Sequence, residues 1–266
     1  MYEVAGTARL HYTTMNTSID TATDTATEPA PHSKVAVITG AGAGLGQAFA
    51  RALAADGWTV AVLGRTEATL AETLGLCAGS GHLTVTCDIT DEAQVRDAFD
   101  RITGELGRLD VLINNAGIPG PKAPLHQVDL SAFDATMATN FRGAFVCSQA
   151  AFGWMAAHGG GRIINNGSIA GHAPRPHAAA YAASKAAMAS LTTSIALDGR
   201  EYNITATELD IGNARTELLA NFTGAEPMFN ADHAAQAVVT VANMPPEVSV
   251  DQLTITAAGM PYLGRG

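Results

Sequence analysis

From Lys34 onward, short apolar runs alternate with longer stretches whose apolar positions recur at helical spacing. The runs are VAVIT at 35–39, WTVAVL at 58–63, LTVTC at 83–87, DVLI at 110–113, RIINN at 162–166, ITATEL at 204–209 and LTITA at 253–257. Several are apolar almost throughout and rich in β-branched residues, as in strands buried on both faces of a parallel sheet. The stretches between them read as helices. In LGQAFARALAADG, Leu45, Phe49, Ala52 and Leu53 make one apolar side and Gly57 supplies the stop. Further helices are expected around 132–157 and 178–199, both rich in small residues. Such alternation implies right-handed βαβ crossovers and a doubly wound sheet.

Residues 1–32 lack this pattern. They are rich in Thr, Ala and Asp and offer too little apolar area to offset ordering entropy. They read as a disordered leader, with Met15 as a second candidate start. Residues 33–266 contain no linker-like break and read as one domain. The formal net charge of −10 argues against a nucleic-acid or anionic-membrane partner. Cys77, Cys87 and Cys147 are too scattered for a disulfide framework or a zinc site. The histidines show no HExxH-like spacing, so no metal is expected. No apolar run is long enough to span a bilayer, and the N-terminus lacks a signal-peptide pattern. A cytoplasmic protein is expected.

The segment VAVITGAGAGLGQAFA places Gly40, Gly44, Leu45 and Gly46 between the first strand and a helix. Glycines there permit a tight turn and let the backbone approach a pyrophosphate, which the helix N-terminus then attracts. The expected fold is therefore α/β, a three-layer doubly wound Rossmann fold with a mostly parallel seven-stranded sheet and helices on both faces. At the end of the second strand a dinucleotide-binding protein commonly holds a carboxylate for the ribose hydroxyls. Here Gly64 stands in that place and Arg65 follows. Loss of the carboxylate removes repulsion toward a 2′-phosphate, and arginine adds a planar donor fork. This favours NADP(H) over NAD(H), although Glu67 is near enough in sequence to compete for Arg65.

Taken together, the motifs resemble the short-chain dehydrogenase/reductase family in its single-domain form. The glycine loop is TGAGAGLG at 39–46, and CDITD at 87–91 resembles the segment that sets Asp88 by the adenine. NNAG at 114–117 brings Asn115, Ala116 and Gly117 to the cofactor, and TNFRGAF at 139–145 supplies Asn140. NGSIAG at 166–171 supplies Ser168, and YAASK supplies Tyr181 and Lys185. The resemblance implies that Lys185 also holds the nicotinamide ribose and that Asn140 holds a water linking Lys185 to solvent. It further implies that Ala214 and Thr216 contact the nicotinamide, and that the two small-residue helices form the contact of a homodimer or homotetramer. One departure stands out: in LDIGNARTEL, Ile211 replaces the family's proline before Gly212.

The chemistry follows from the residue types. Carbonyl reduction needs a hydride on carbon and a proton on oxygen, and the cofactor carries the hydride. Tyr181 can hold the proton, and Lys185, four residues on and so on the same helix face, favours its phenolate. Ser168 can donate to the substrate oxygen. A tyrosine and a lysine on an alanine-rich helix are ordinarily core and surface residues; the ordered set with Ser168 and Asn140 is what turns them into candidates. The expected activity is interconversion of an alcohol and a carbonyl compound, with a small molecule as the partner. The alternatives are an NAD-linked alcohol dehydrogenase of the same fold and a non-catalytic dinucleotide sensor. His172 and His177 read either as residues of the substrate mouth or as solvated loop residues, and Arg175 as a candidate for an acidic substrate.

Overall fold

The computed structural model describes residues 33–215 and 226–261. The expected leader at 1–32 and the predicted contact residue Thr216 lie outside the described residues. Seven strands form one sheet: β1 (Val35–Thr39), β2 (Thr59–Gly64), β3 (Leu83–Thr86), β4 (Val111–Asn114), β5 (Gly161–Asn166), β6 (Ile204–Gly212) and β9 (Gln252–Thr256). Their order is β3-β2-β1-β4-β5-β6-β9, and every pairing is parallel. A short parallel pair, β7 (Ala214–Arg215) and β8 (Phe229–Asn230), follows β6.

The helices are α1 (Gly44–Ala55), α2 (Glu67–Gly75), α3 (Glu92–Leu106), α4 (Leu130–Met137), α5 (Ala144–Ala157), α6 (Ile169–His172), α7 (Ala179–Gly199) and α8 (Ala231–Ala242). Successive strand residues point to opposite faces, and both faces are covered. Ala36, Ile38, Val60 and Val62 pack with Phe49 and Leu53 of α1 and Val238 of α8. Val37, Ala61 and Leu63 pack with Phe99 of α3, Met155 of α5 and Ile195 of α7. This two-sided burial is why the strands read as apolar runs rather than as alternations.

Two elements depart from the sequence reading. The helix expected over 132–157 is interrupted by a π-helical segment at Ala138–Gly143, between α4 and α5. β6 also runs past the expected end at residue 209, pairing with β9 through Gly212↔Thr256. Ile211 takes a ladder position opposite Ile255. A proline has no N–H for that ladder, so the replacement lets the strand continue.

Candidate active site

The strand order reverses between β1 and β4, and in such sheets a crevice opens at the carboxyl ends there. Thr39 ends β1, and its Oγ1 accepts from Asn115 N at 3.0 Å and Ala116 N at 3.1 Å. Asn115 Nδ2 donates back to the carbonyls of Thr39 and Gly40, at 3.0 and 3.1 Å. The NNAG segment is thereby fastened to the glycine loop. Gly40 has φ +63°, and a Cβ there would lie 2.7 Å from Ala116 Cα; at Gly46 it would lie 2.3 Å from the Gly40 carbonyl oxygen. Gly44 opens α1 and Leu45 packs against the core beneath it. The N-cap, Ala43, has no side chain to satisfy the first-turn N–H groups, so they stay available to an anion. A diphosphate fits this cradle.

Around that cradle, Asp88 is half-buried and accepts from Thr90 N at 3.0 Å and Thr90 Oγ1 at 2.8 Å. Gly64 closes β2, and Arg65 beyond it is exposed. Among the described residues Arg65 has no ion-pair partner; Glu67 does not take it up. Gly117 sits against Asn140, a Cβ there lying 3.3 Å from Asn140 Oδ1.

Asn140 lies in the π-helical segment and is 1% exposed. Its Oδ1 accepts from Ile118 N at 2.7 Å, while Nδ2 donates to Ile118 O at 2.9 Å and Ser184 Oγ at 3.2 Å. The side chain thus ties the loop after β4 to α7. Ser168 follows β5 and caps α6, its Oγ accepting from Ala170 N at 3.2 Å. It also lies near enough to the Tyr181 phenol to pull its pKa down. Tyr181 and Lys185 lie one turn apart on α7, with Lys185 Nζ 5.8 Å from the phenol ring centroid. Nζ donates to Asn166 O at 2.5 Å. All four predicted catalytic residues therefore converge on the ends of β4 and β5.

Burial of Tyr181 raises the phenol above its ordinary range, the Ser168 hydroxyl draws it down, and the charge of Asp210 raises it further. The lowering expected from Lys185 is not among the causes of this shift. Lys185 itself is lowered by burial to about 8, against the opposing pull of Asp210 and Glu208.

Those two carboxylates were not among the residues expected at the site. Asp210 Oδ2 accepts from His172 Nε2 at 2.9 Å and Gln252 Nε2 at 2.8 Å, and Glu208 Oε1 lies 3.8 Å from His172 Nε2. Glu208 is pushed up to about 7 by burial and by Asp210, against His172 and Lys185. His172, Glu208 and Asp210 place one potential ligand atom each within 4.8 Å of one another, a grouping no local spacing announces. The available signal was two acids alternating in a strand that is otherwise buried. His177 is exposed, with φ +63°. Arg175, expected as a contact for an acidic substrate, instead pairs with Glu226 and reaches Asn213 Oδ1 at 3.4 Å. Ala214 is buried in β7, directly after the β6 end.

The model of the short chain dehydrogenase family matches residues 34–227. Cis-4-hydroxycyclohexanecarboxylate dehydrogenase of Sinomonas cyclohexanicum is 39% identical over 189 residues, covering 70% of this chain and 76% of that protein. The 3-ketoacyl-(acyl-carrier-protein) reductase of Brucella melitensis, solved with NADH, superposes with a TM-score of 0.79 at 28% identity. That match covers 84% of this chain and 96% of the other. An actinorhodin polyketide ketoreductase solved with NADPH gives 0.78 at 26% identity, over 84% and 96% of the two chains.

Proposed function

Because the chain belongs to the short-chain dehydrogenase/reductase family, we propose that Tyr181 gives and takes the proton while hydride passes between a nicotinamide cofactor and an alcohol or carbonyl substrate. The family makes the protein an oxidoreductase acting on CH–OH and C=O groups. The observation that carries the assignment is the convergence of Ser168, Tyr181 and Lys185 at the end of β5, beside a glycine loop suited to a diphosphate. The bound nicotinamide supplies or accepts the hydride. In the reductive direction the Tyr181 hydroxyl protonates the developing alkoxide. The Ser168 hydroxyl donates a second hydrogen bond to that oxygen, where charge accumulates. Lys185, held by the Asn166 carbonyl, supplies the adjacent cation and would hold the nicotinamide ribose of a bound cofactor. Asn140 fixes the relation between α7 and the loop after β4.

NADP(H) is the preferred cofactor in this reading, supported by the exposed Arg65 and the missing carboxylate at Gly64. The relatives include complexes with each cofactor form. Among the described residues no helix is long and apolar enough to cross a membrane. Phe145 on α5 and Leu197 on α7 are exposed, in keeping with these helices as a subunit contact.

The test is Tyr181→Phe, assayed at the nicotinamide absorbance against a panel of alcohols and ketones that starts with hydroxycyclohexanecarboxylates. Turnover is expected to fall by about 10²–10⁴-fold while cofactor affinity stays near that of the parent. Near-parental turnover removes Tyr181 from the mechanism.

A further inference from the structure

Two acids stand in a strand that the fold otherwise fills with apolar and uncharged residues. Glu208 and Asp210 are two apart on β6, so both point to one face of the sheet. Asp210 is fully buried and Glu208 is 6% exposed. On one side, β5 pairs Asn165 with Glu208; on the other, β9 sets Gln252 beside Glu208 and Thr254 beside Asp210. His172, at the end of α6, and Gln252 engage Asp210 Oδ2. Asp210 Oδ1 and Glu208 Oε1 are buried without hydrogen-bond partners among the described residues. Both lie against Gly167, where an added Cβ would sit 2.5 Å from Asp210 Oδ1 and 3.0 Å from Glu208 Oε1.

Gly167 is the residue between the two anchors of the site. On one side is Asn166, whose carbonyl holds Lys185 Nζ; on the other is Ser168, beside the Tyr181 phenol. The acids therefore form the wall directly behind the proton-transfer groups. Two carboxylates confined to one buried spot cannot both ionise freely. Full negative charge there opposes formation of a second anion, the phenolate, while it supports the ammonium of Lys185. Among the described residues, the charged or titratable groups facing the acids are His172 from α6 and Tyr181 and Lys185 from α7. From β9 the facing group is the uncharged amide of Gln252.

We propose that Glu208 and Asp210 are positioning residues for the proton on Tyr181: their charge behind Gly167 keeps the phenol protonated, and so favours donating that proton to a carbonyl over taking one from an alcohol. No oxidant or further reactant is involved. Ionising the acid pair releases its proton to solvent. The inference deepens the reading of Tyr181 as the acid–base group and rests on it.

The experiment needs no substrate. The full chain is labelled with [¹³Cζ]tyrosine, and the Tyr181 resonance is assigned by its loss in Tyr181→Phe from among the five tyrosines. Its ionisation is then followed by NMR in the parent, in Asp210→Asn and in Glu208→Gln. Both substitutions conserve shape, and each keeps the proposal testable if the other fails to fold. The Tyr181 midpoint is expected to drop by about one pH unit or more in Asp210→Asn, and to move the same way in Glu208→Gln. A midpoint unmoved in a folded variant overturns the proposal. A purely structural role would lower stability and leave the midpoint in place. The outcome is also separable from the reading beneath it: Tyr181→Phe with near-parental turnover defeats that reading, whereas an inactive Tyr181→Phe with an unmoved midpoint in Asp210→Asn defeats this inference alone.

Discussion

At the residue scale the cofactor preference turns on one side chain. Arg65 follows β2 without a partner among the described residues, and Gly64 before it offers no carboxylate. A guanidinium meeting a 2′-phosphate forms charge-assisted, bidentate hydrogen bonds, the strong class of such contacts. Hydrogen bonds to charged groups contribute about 1.5–3 kcal/mol. Arg65→Ala is therefore expected to weaken NADP(H) about 10- to 100-fold and to leave NAD(H) nearly unchanged. Fluorescence titration with both cofactors measures it. Equal losses for the two, or none, return Arg65 to an ordinary surface position.

At the scale of elements, the strands were legible because two-sided burial writes them as β-branched runs, and VAVIT matches β1 residue for residue. What stayed hidden depends on distant neighbours. The π-helical segment belongs to Asn140, whose bonds reach Ile118 and Ser184, 22 and 44 residues away. The same holds for the polar network that joins strands to helices under the site. Asn114 Nδ2 donates to Ser148 Oγ and Asn165 Oδ1, each at 2.8 Å, and Asn165 Nδ2 donates to Thr192 Oγ1 at 2.8 Å. The network spans β4, α5, β5 and α7 in a buried setting. Asn165→Ala would leave a donor of Asn114 and an acceptor of Thr192 unmatched, and each buried orphan costs about 1–3 kcal/mol. A loss of about 2–4 kcal/mol is expected from urea unfolding, with the native fold retained by circular dichroism. A loss under about 1 kcal/mol would mean that water or repacking satisfies those groups.

At the scale of the whole molecule, the candidate catalytic residues were legible because they lie in short local motifs, Ser168 just after a predictable strand and Tyr181 and Lys185 on a predictable helix. The acid pair was not. Its partners come from α6, α7 and β9, with His172 38 residues and Gln252 42 residues from Asp210. That buried charge gives the fold a pH dependence of definite sign. Glu208 is ordinarily half-ionised at 4.5 and rises to about 7 in the folded protein. Between those values the folded state holds a proton that the unfolded state has released. Stability therefore falls as pH rises through this window, and the penalty is complete above the folded value. Glu208→Gln keeps the shape and removes the titration. Its melting temperature relative to the parent is expected to climb by a few degrees between pH 5 and pH 7.5. Lys185, lowered to about 8 and held up in part by Glu208, makes stability rise with pH around that value, so the change between about pH 5 and pH 6.5 carries the test. Thermal melts of both proteins at half-unit steps decide the matter. A difference that stays flat across the window would mean that Glu208 is solvated and ionised in the native state, and that the wall behind Gly167 carries full charge at every pH where the enzyme works.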